Sequence, residues 1–179
     1  DELLYAPRDP RTVVVQHMLE DLDFACQHIS RTSDETGSLV TKWVAYAFKS
    51  RVCLFEGTFR KYHTELGLAD TANELLQQAA DAAQTVMNES GYSIYTGAGE
   101  DASFRSLFIS NSPVTSEVML ASVADEGLGV LGEANWWWTS GTYGPRFSMI
   151  RSFINLFLMT DGTPFTDKPN HEQIEFYDE

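Results

Sequence analysis

The stretch Gly37 to His63, GSLVTKWVAYAFKSRVCLFEGTFRKYH, constrains the fold of this chain more than any other segment. Val40, Trp43, Val44, Ala47, Phe48, Arg51, Phe55, Phe59 and Tyr62 recur at steps of three and four, the spacing of one face of an α-helix. A long helix that packs through this face is expected, with Trp43 in the core. Arg51 falls on the same face, where an unpaired guanidinium is costly, so an acidic partner such as Glu20 or Asp23 is expected for it.

Two further stripes flank this helix. Val15, Met18, Leu19, Leu22, Ala25, Cys26 and Ile29 predict a helix from about Arg11 to Ile29, entered after the breakers Pro7 and Pro10. Ala72, Leu75, Leu76, Ala79, Ala80, Ala83, Val86 and Met87 predict a third, isolated by Gly67 and ended by Gly91. The small residues Ala79, Ala80, Ala82 and Ala83 would let a neighbouring helix approach closely. Residues 1–91 therefore read as helical hairpins, although no internal repeat aligns one pair on another.

From Tyr92 onward, glycine, serine, asparagine and aromatics replace the alanine-rich pattern, and residues 92–179 read as loop-rich. Phe104 to Phe108 is expected to form one helical turn and Glu117 to Val123 a short extended segment. A last helix is expected from Arg146 or Phe147 to about Leu158, followed by a turn at Asp161-Gly162.

Composition excludes several functions. A net charge of -14 repels phosphate backbones and anionic headgroups, so no nucleic-acid partner is expected. No apolar run reaches the roughly 18 residues of a membrane helix, and the start DELLYAPRDP lacks signal-peptide features, so the chain itself is expected to be soluble. Cys26 and Cys53 lie on the apolar sides of their helices and are expected to be buried thiols. His17, His28, His63 and His171 have no metal-ligand spacing, so neither a metal nor a cofactor is expected. Asp21 and Asp23 read as a solvated helix face.

The best candidate for chemistry is Asn135-Trp136-Trp137-Trp138-Thr139-Ser140-Gly141-Thr142-Tyr143-Gly144. Aromatic faces stack on the C–H faces of sugar rings, while amides and hydroxyls pair with sugar hydroxyls. An extended backbone would point Trp136 and Trp138 one way and Trp137 the other. The candidate ligand-binding set is Trp136, Trp138 and Tyr143 as an aromatic platform, with Asn135, Thr139 and Arg146 as polar neighbours. Arg105 and Arg146 could alternatively tie loops to the scaffold. Glu117, Asp125, Glu126, Glu133 and Asp161 flank the region and would be the acids of a glycoside hydrolase, an alternative that no sequence rule selects. No nucleophile elbow, phosphate loop or dinucleotide fingerprint is present, and no catalytic residue is assigned.

Lys42, Ala45, Arg51, Leu54, Phe55, Glu56-Gly57-Thr58 and Lys61-Tyr62-His63, together with Met159-Thr160-Asp161-Gly162-Thr163-Pro164, resemble the SusD/RagB family of surface nutrient-binding lipoproteins of Bacteroidetes. The Phe104 to Phe108 turn ahead of Glu117 fits the same pattern, and the resemblance runs from Tyr5-Ala6-Pro7-Arg8 to the acidic tail. It implies a mostly α fold, in which tetratricopeptide-like (TPR-like) hairpins carry a less regular binding part. It also implies an internal piece of a larger SusD-like domain. The implied role is capture of an oligosaccharide or polysaccharide without turnover, at the outer-membrane surface, for a SusC-like TonB-dependent transporter. Attachment to the membrane would come only through a lipid anchor outside this chain. The alternative is a scaffold whose helices bind a peptide or protein; it predicts that changes at Trp136, Trp137 and Trp138 leave partner binding untouched.

Overall fold

A computed structural model describes residues 7–125, 127–130, 138, 140–142, 144 and 149–178, the last four by backbone alone. The protein is mostly α. It divides into two compact units, Asp1–Val123 and Ala124–Glu179. The loop-rich residues 92–123 thus belong to the same unit as the long helices.

Three helices build the first unit. Helix α1, Arg11–His28, starts at Pro10, whose carbonyl accepts from the amides of Val13 and Val14. Proline suits this position because its fixed φ is already close to helical and it has no amide to leave unsatisfied. Helix α2, Lys42–Tyr62, is capped by Thr41, whose hydroxyl accepts from the Val44 amide at 3.4 Å. Arg60 and Lys61 in its last turn complement the negative end of the helix dipole. Helix α3, Ala72–Glu89, buries Ala72, Leu75, Ala79, Ala82 and Val86 at helical spacing. The expected glycine break and stop hold: Gly67 and Gly91 both adopt left-handed backbone, at φ 66° and 78°.

Helix α2 packs most extensively on α3 and also contacts α1. Val15, Leu19, Cys53, Leu75 and Ala79 form the core, with Val52 against it. Ser50 donates through its hydroxyl to the Ala79 carbonyl at 2.8 Å, which marks how closely α2 and α3 approach. Cys26 and Cys53 are buried free thiols, and burial pushes both pKa values up.

The buried face of α2 is not the expected one. Trp43 is buried as expected, and its indole N–H donates to the Thr32 carbonyl at 2.9 Å. The rest of the buried set is Ala45, Cys53, Glu56, Gly57 and Arg60. Phe48, Phe55 and Tyr62 are 53%, 63% and 75% exposed, and Arg51 is also exposed. Cys53 and Tyr62 are nine residues apart, about two and a half helical turns, so they lie on opposite sides. The physical reason is that small residues and an ion-paired polar group let α2 approach its neighbours closely, whereas bulky aromatics at the same positions would hold it away. The acids expected for Arg51 are occupied elsewhere. Asp23 pairs with Lys49, and Glu20 accepts from Gln16 and pairs with His17.

The connection from α1 to α2 is ordered by Asp34. Its carboxylate accepts from the amides of Thr36, Ser38 and Leu39 at 3.0, 2.8 and 2.8 Å, and from the Thr36 hydroxyl at 2.8 Å. These bonds, led by the Leu39 amide, hold its pKa at about 2, against an ordinary 3.8. A lowered pKa means that the loop's share of stability is complete above the ordinary value and lost as pH falls toward 2. In a carboxylate NMR titration Asp34 is expected to give the low midpoint, and Asp34→Ala to accelerate amide exchange at Ser38 and Leu39. Exchange unchanged in the variant would show that the loop holds without it.

Gly37 in this loop is buried at φ 66°, and a Cβ there would lie 2.9 Å from Pro113 Cβ. Its carbonyl accepts from the Ala121 amide at 2.7 Å. That bond ties down the segment Glu117 to Val123, which is irregular rather than the extended piece expected; Glu117 lies in a turn and its carboxylate accepts from the Tyr95 amide at 2.6 Å. Helix α4, Ser103–Ile109, is slightly longer than the expected turn.

In the second unit, helix α5 covers only Arg151–Ile154, shorter than the helix expected to about Leu158. The Asp161-Gly162 turn explains the difference. Gly162 takes φ 82°, Asp161 accepts from the Thr163 amide and hydroxyl, and Leu158 bridges antiparallel to Pro164, which draws the chain out of helix. Residues 146–148, the start of the expected helix, lie outside the described residues. Helix α6, Asn170–Asp178, follows.

Candidate ligand-binding site

Trp138 is the one member of the expected aromatic platform among the described residues. It lies in helical rather than extended backbone, so the alternation of an extended strand does not apply at this residue. Its indole is 65% exposed, far more than a core tryptophan such as Trp43. Just beyond it the Gly144 amide donates to the Ser140 carbonyl at 2.9 Å, which closes a turn through exposed Gly141 and Thr142. Asn135, Trp136, Trp137, Thr139, Tyr143 and Arg146 lie outside the described residues. Exposed aromatic surface beside a polar turn can stack on a sugar ring and offer backbone groups to its hydroxyls.

Where they are described, the acids flanking this region accept from backbone amides. Glu117 holds Tyr95, as above. Asp125 accepts from the Leu128 amide at 3.1 Å, beside its bridge to Val130. Asp161 caps the Thr163 turn, and its pKa is lowered first by the Thr163 hydroxyl and then by the Thr163 amide. Glu126 and Glu133 lie outside the described residues. Among the described residues no cluster of histidine, cysteine and carboxylate side chains is placed to hold a metal ion.

Two concavities of the first unit were not legible in the sequence. One, of about 400 Å³, is lined by Ile94, Tyr95, Glu100, Ser103, Phe104 and Leu107 among others, and Phe104 also meets the exposed Phe108 ring. The other runs between α1 and α2 and holds about 470 Å³. It is lined by Val14, Val15 and Met18 from α1 and by Phe48, Arg51, Val52 and Phe55 from α2, with Arg11 and Glu56 completing it. Phe48, Arg51 and Phe55 belong to the stripe whose periodicity predicts a packed face of α2; the structure places them at an open groove instead of in the core.

The floor of this groove is ion-paired. Glu56 is 2% exposed and accepts from Arg11 Nε at 2.9 Å and Nη2 at 2.7 Å, and from Arg60 Nε at 2.8 Å. Arg60 passes a second bond from Nη1 to Thr71 at 2.8 Å. The Arg11 guanidinium also sits 3.9 Å from the Phe59 ring centroid. Burial alone would push the Glu56 carboxyl up; the hydrogen bonds from Arg11 and Arg60 outweigh it and hold the pKa below the ordinary value. No family model, curated protein or solved structure matches this chain.

Proposed function

We propose that this chain is part of a SusD/RagB-like protein of the bacterial cell surface, which captures an oligosaccharide or polysaccharide and delivers it to a SusC-like TonB-dependent outer-membrane transporter. On this reading the long helices are a TPR-like scaffold, the protein binds without turnover, and a lipid anchor attaches it to the outer membrane. The observation that carries the reading is Trp138, a tryptophan 65% exposed beside a Ser140 to Gly144 turn. The sequence places Trp136, Tyr143, Asn135, Thr139 and Arg146 within a few residues of it as further ligand contacts. Recognition by stacking is the mechanism: one ring contributes about 1 kcal/mol beyond its buried area, so useful affinity needs several contacts along a glycan chain.

The test is a glycan-array screen of the protein beside Trp138→Ala, with circular dichroism as the folding control. Loss of that stacking energy is expected to weaken the binding of the selected glycan about fivefold, and Trp136→Ala combined with it to weaken binding further. Undiminished binding in the double variant would remove the aromatic platform, and release of new reducing ends from a bound glycan would replace capture with hydrolysis.

A further inference from the structure

The groove between α1 and α2 has a shape and a charge that capture of a glycan does not use. Arg11 and Met18 on α1, and Phe48 and Phe55 on α2, are each seven residues apart, so each wall runs for two helical turns, about 10 Å. Two antiparallel helices, joined by Arg11–Glu56 at one end and Asp23–Lys49 further along, present ridges of that length with exposed Val14, Met18, Phe48 and Phe55, a seat that a further helix fills with side chains at i, i+3 or i+4 and i+7. The charge narrows the occupant further. Although the chain carries a net charge of -14, the groove holds two arginines and one acid, and that acid, Glu56, is saturated by Arg11 and Arg60. Arg51 stands between Phe48 and Phe55 on the exposed face with no acidic partner among the described residues.

We infer that this groove docks an amphipathic α-helix of a partner polypeptide, which packs apolar side chains against Met18, Phe48 and Phe55 and presents a carboxylate to Arg51. A desolvated guanidinium favours a carboxylate through charge-assisted, bidentate hydrogen bonds. A second copy of this chain is a poor occupant, because two grooves face to face would oppose Arg51 with Arg51 and two strongly acidic chains with each other.

Fluorescence anisotropy with two synthetic helical peptides tests this. Both carry leucines at i, i+3 and i+7; one has Glu at i+4 and the other Lys. The Glu peptide is expected to bind about tenfold more tightly than the Lys peptide, Arg51→Glu to reverse that order, and Phe55→Ser to abolish binding of both. Both substituted positions are exposed, so circular dichroism should be unchanged. Equal affinity for the two peptides, no binding of either, or a preference for Glu that survives Arg51→Glu would each overturn the inference. So would displacement of the Glu peptide by dodecanoate, which would assign the groove to a small amphiphile. A dimer in sedimentation that Phe55→Ser dissociates would assign it to a second copy.

Discussion

Glu56→Ala is expected to destabilise the protein by about 3–5 kcal/mol, the cost of breaking a buried ion pair from one side. The alanine variant leaves Arg60, 7% exposed, with Thr71 as its remaining side-chain partner among the described residues, and it releases Arg11. Arg11 is the first residue of α1 and Glu56 lies in α2, so the carboxylate is also a clip between helices 45 residues apart in sequence. Urea unfolding at neutral pH measures the loss. Glu56→Gln keeps the volume and can still accept hydrogen bonds, so it is expected to recover part of it. The same group sets an acid dependence. Its folded pKa lies below the ordinary 4.5, so its contribution is complete above that value and is lost as pH falls through the folded one. The stability difference between the protein and Glu56→Gln should therefore narrow when the measurements are repeated at about pH 3. A loss under 1 kcal/mol for Glu56→Ala at neutral pH would mean that the two arginines relax into water and that the clip is dispensable.

Glu56 also shows where sequence reading stops. Periodicity located α1, α2 and α3 to within a residue or two, because a stripe of apolar residues at helical spacing and a left-handed glycine at Gly67 and Gly91 are local properties of the chain. Which face of α2 is buried is not local. Phe48, Phe55 and Tyr62 make one side the more apolar, yet the side carrying Ala45, Cys53, Gly57 and the paired Glu56 and Arg60 lies against α1 and α3, since close approach rewards small residues over large ones. A buried charge reads as a surface residue unless its partners are known, and Arg11 and Arg60 become partners only after α1 and α2 pack. The helix expected to reach Leu158 fails for a related reason: its apolar residues suit an extended bridge as well as a helix, and the Asp161-Gly162 turn selects the bridge. At the candidate site, composition identified a tryptophan run, of which Trp138 is exposed. The groove was legible as residues but not as a groove, because the same spacing describes a helix face that is covered and one that is open.

Gly57→Val is expected to cost about 3 kcal/mol, and Gly57→Ala to cost about 1 kcal/mol where helix propensity by itself would predict a gain of similar size. Gly57 lies inside α2, a position at which alanine ordinarily stabilises by restricting the unfolded chain. Here a Cβ would sit 2.9 Å from both Cγ and Cδ2 of Leu76 and 3.1 Å from the Ala72 carbonyl oxygen. The leucine can turn aside at some cost, but the carbonyl belongs to the first turn of α3 and moves only with the helix. Valine adds two methyl groups to the same contact and restricts its own rotamers within the helix. A double-mutant cycle separates the two obstacles: Leu76→Ala combined with Gly57→Ala should recover the part due to the side chain and leave the part due to the carbonyl. Stabilisation by Gly57→Ala alone would mean that α2 and α3 are free to part without loss. Because Gly57 faces α3 while Phe48, Arg51 and Phe55 face away, the valine variant, still folded below its unfolding transition, should retain the affinity of the groove for the acidic peptide. Lost stability with retained binding would show that the packed and open faces of α2 act independently.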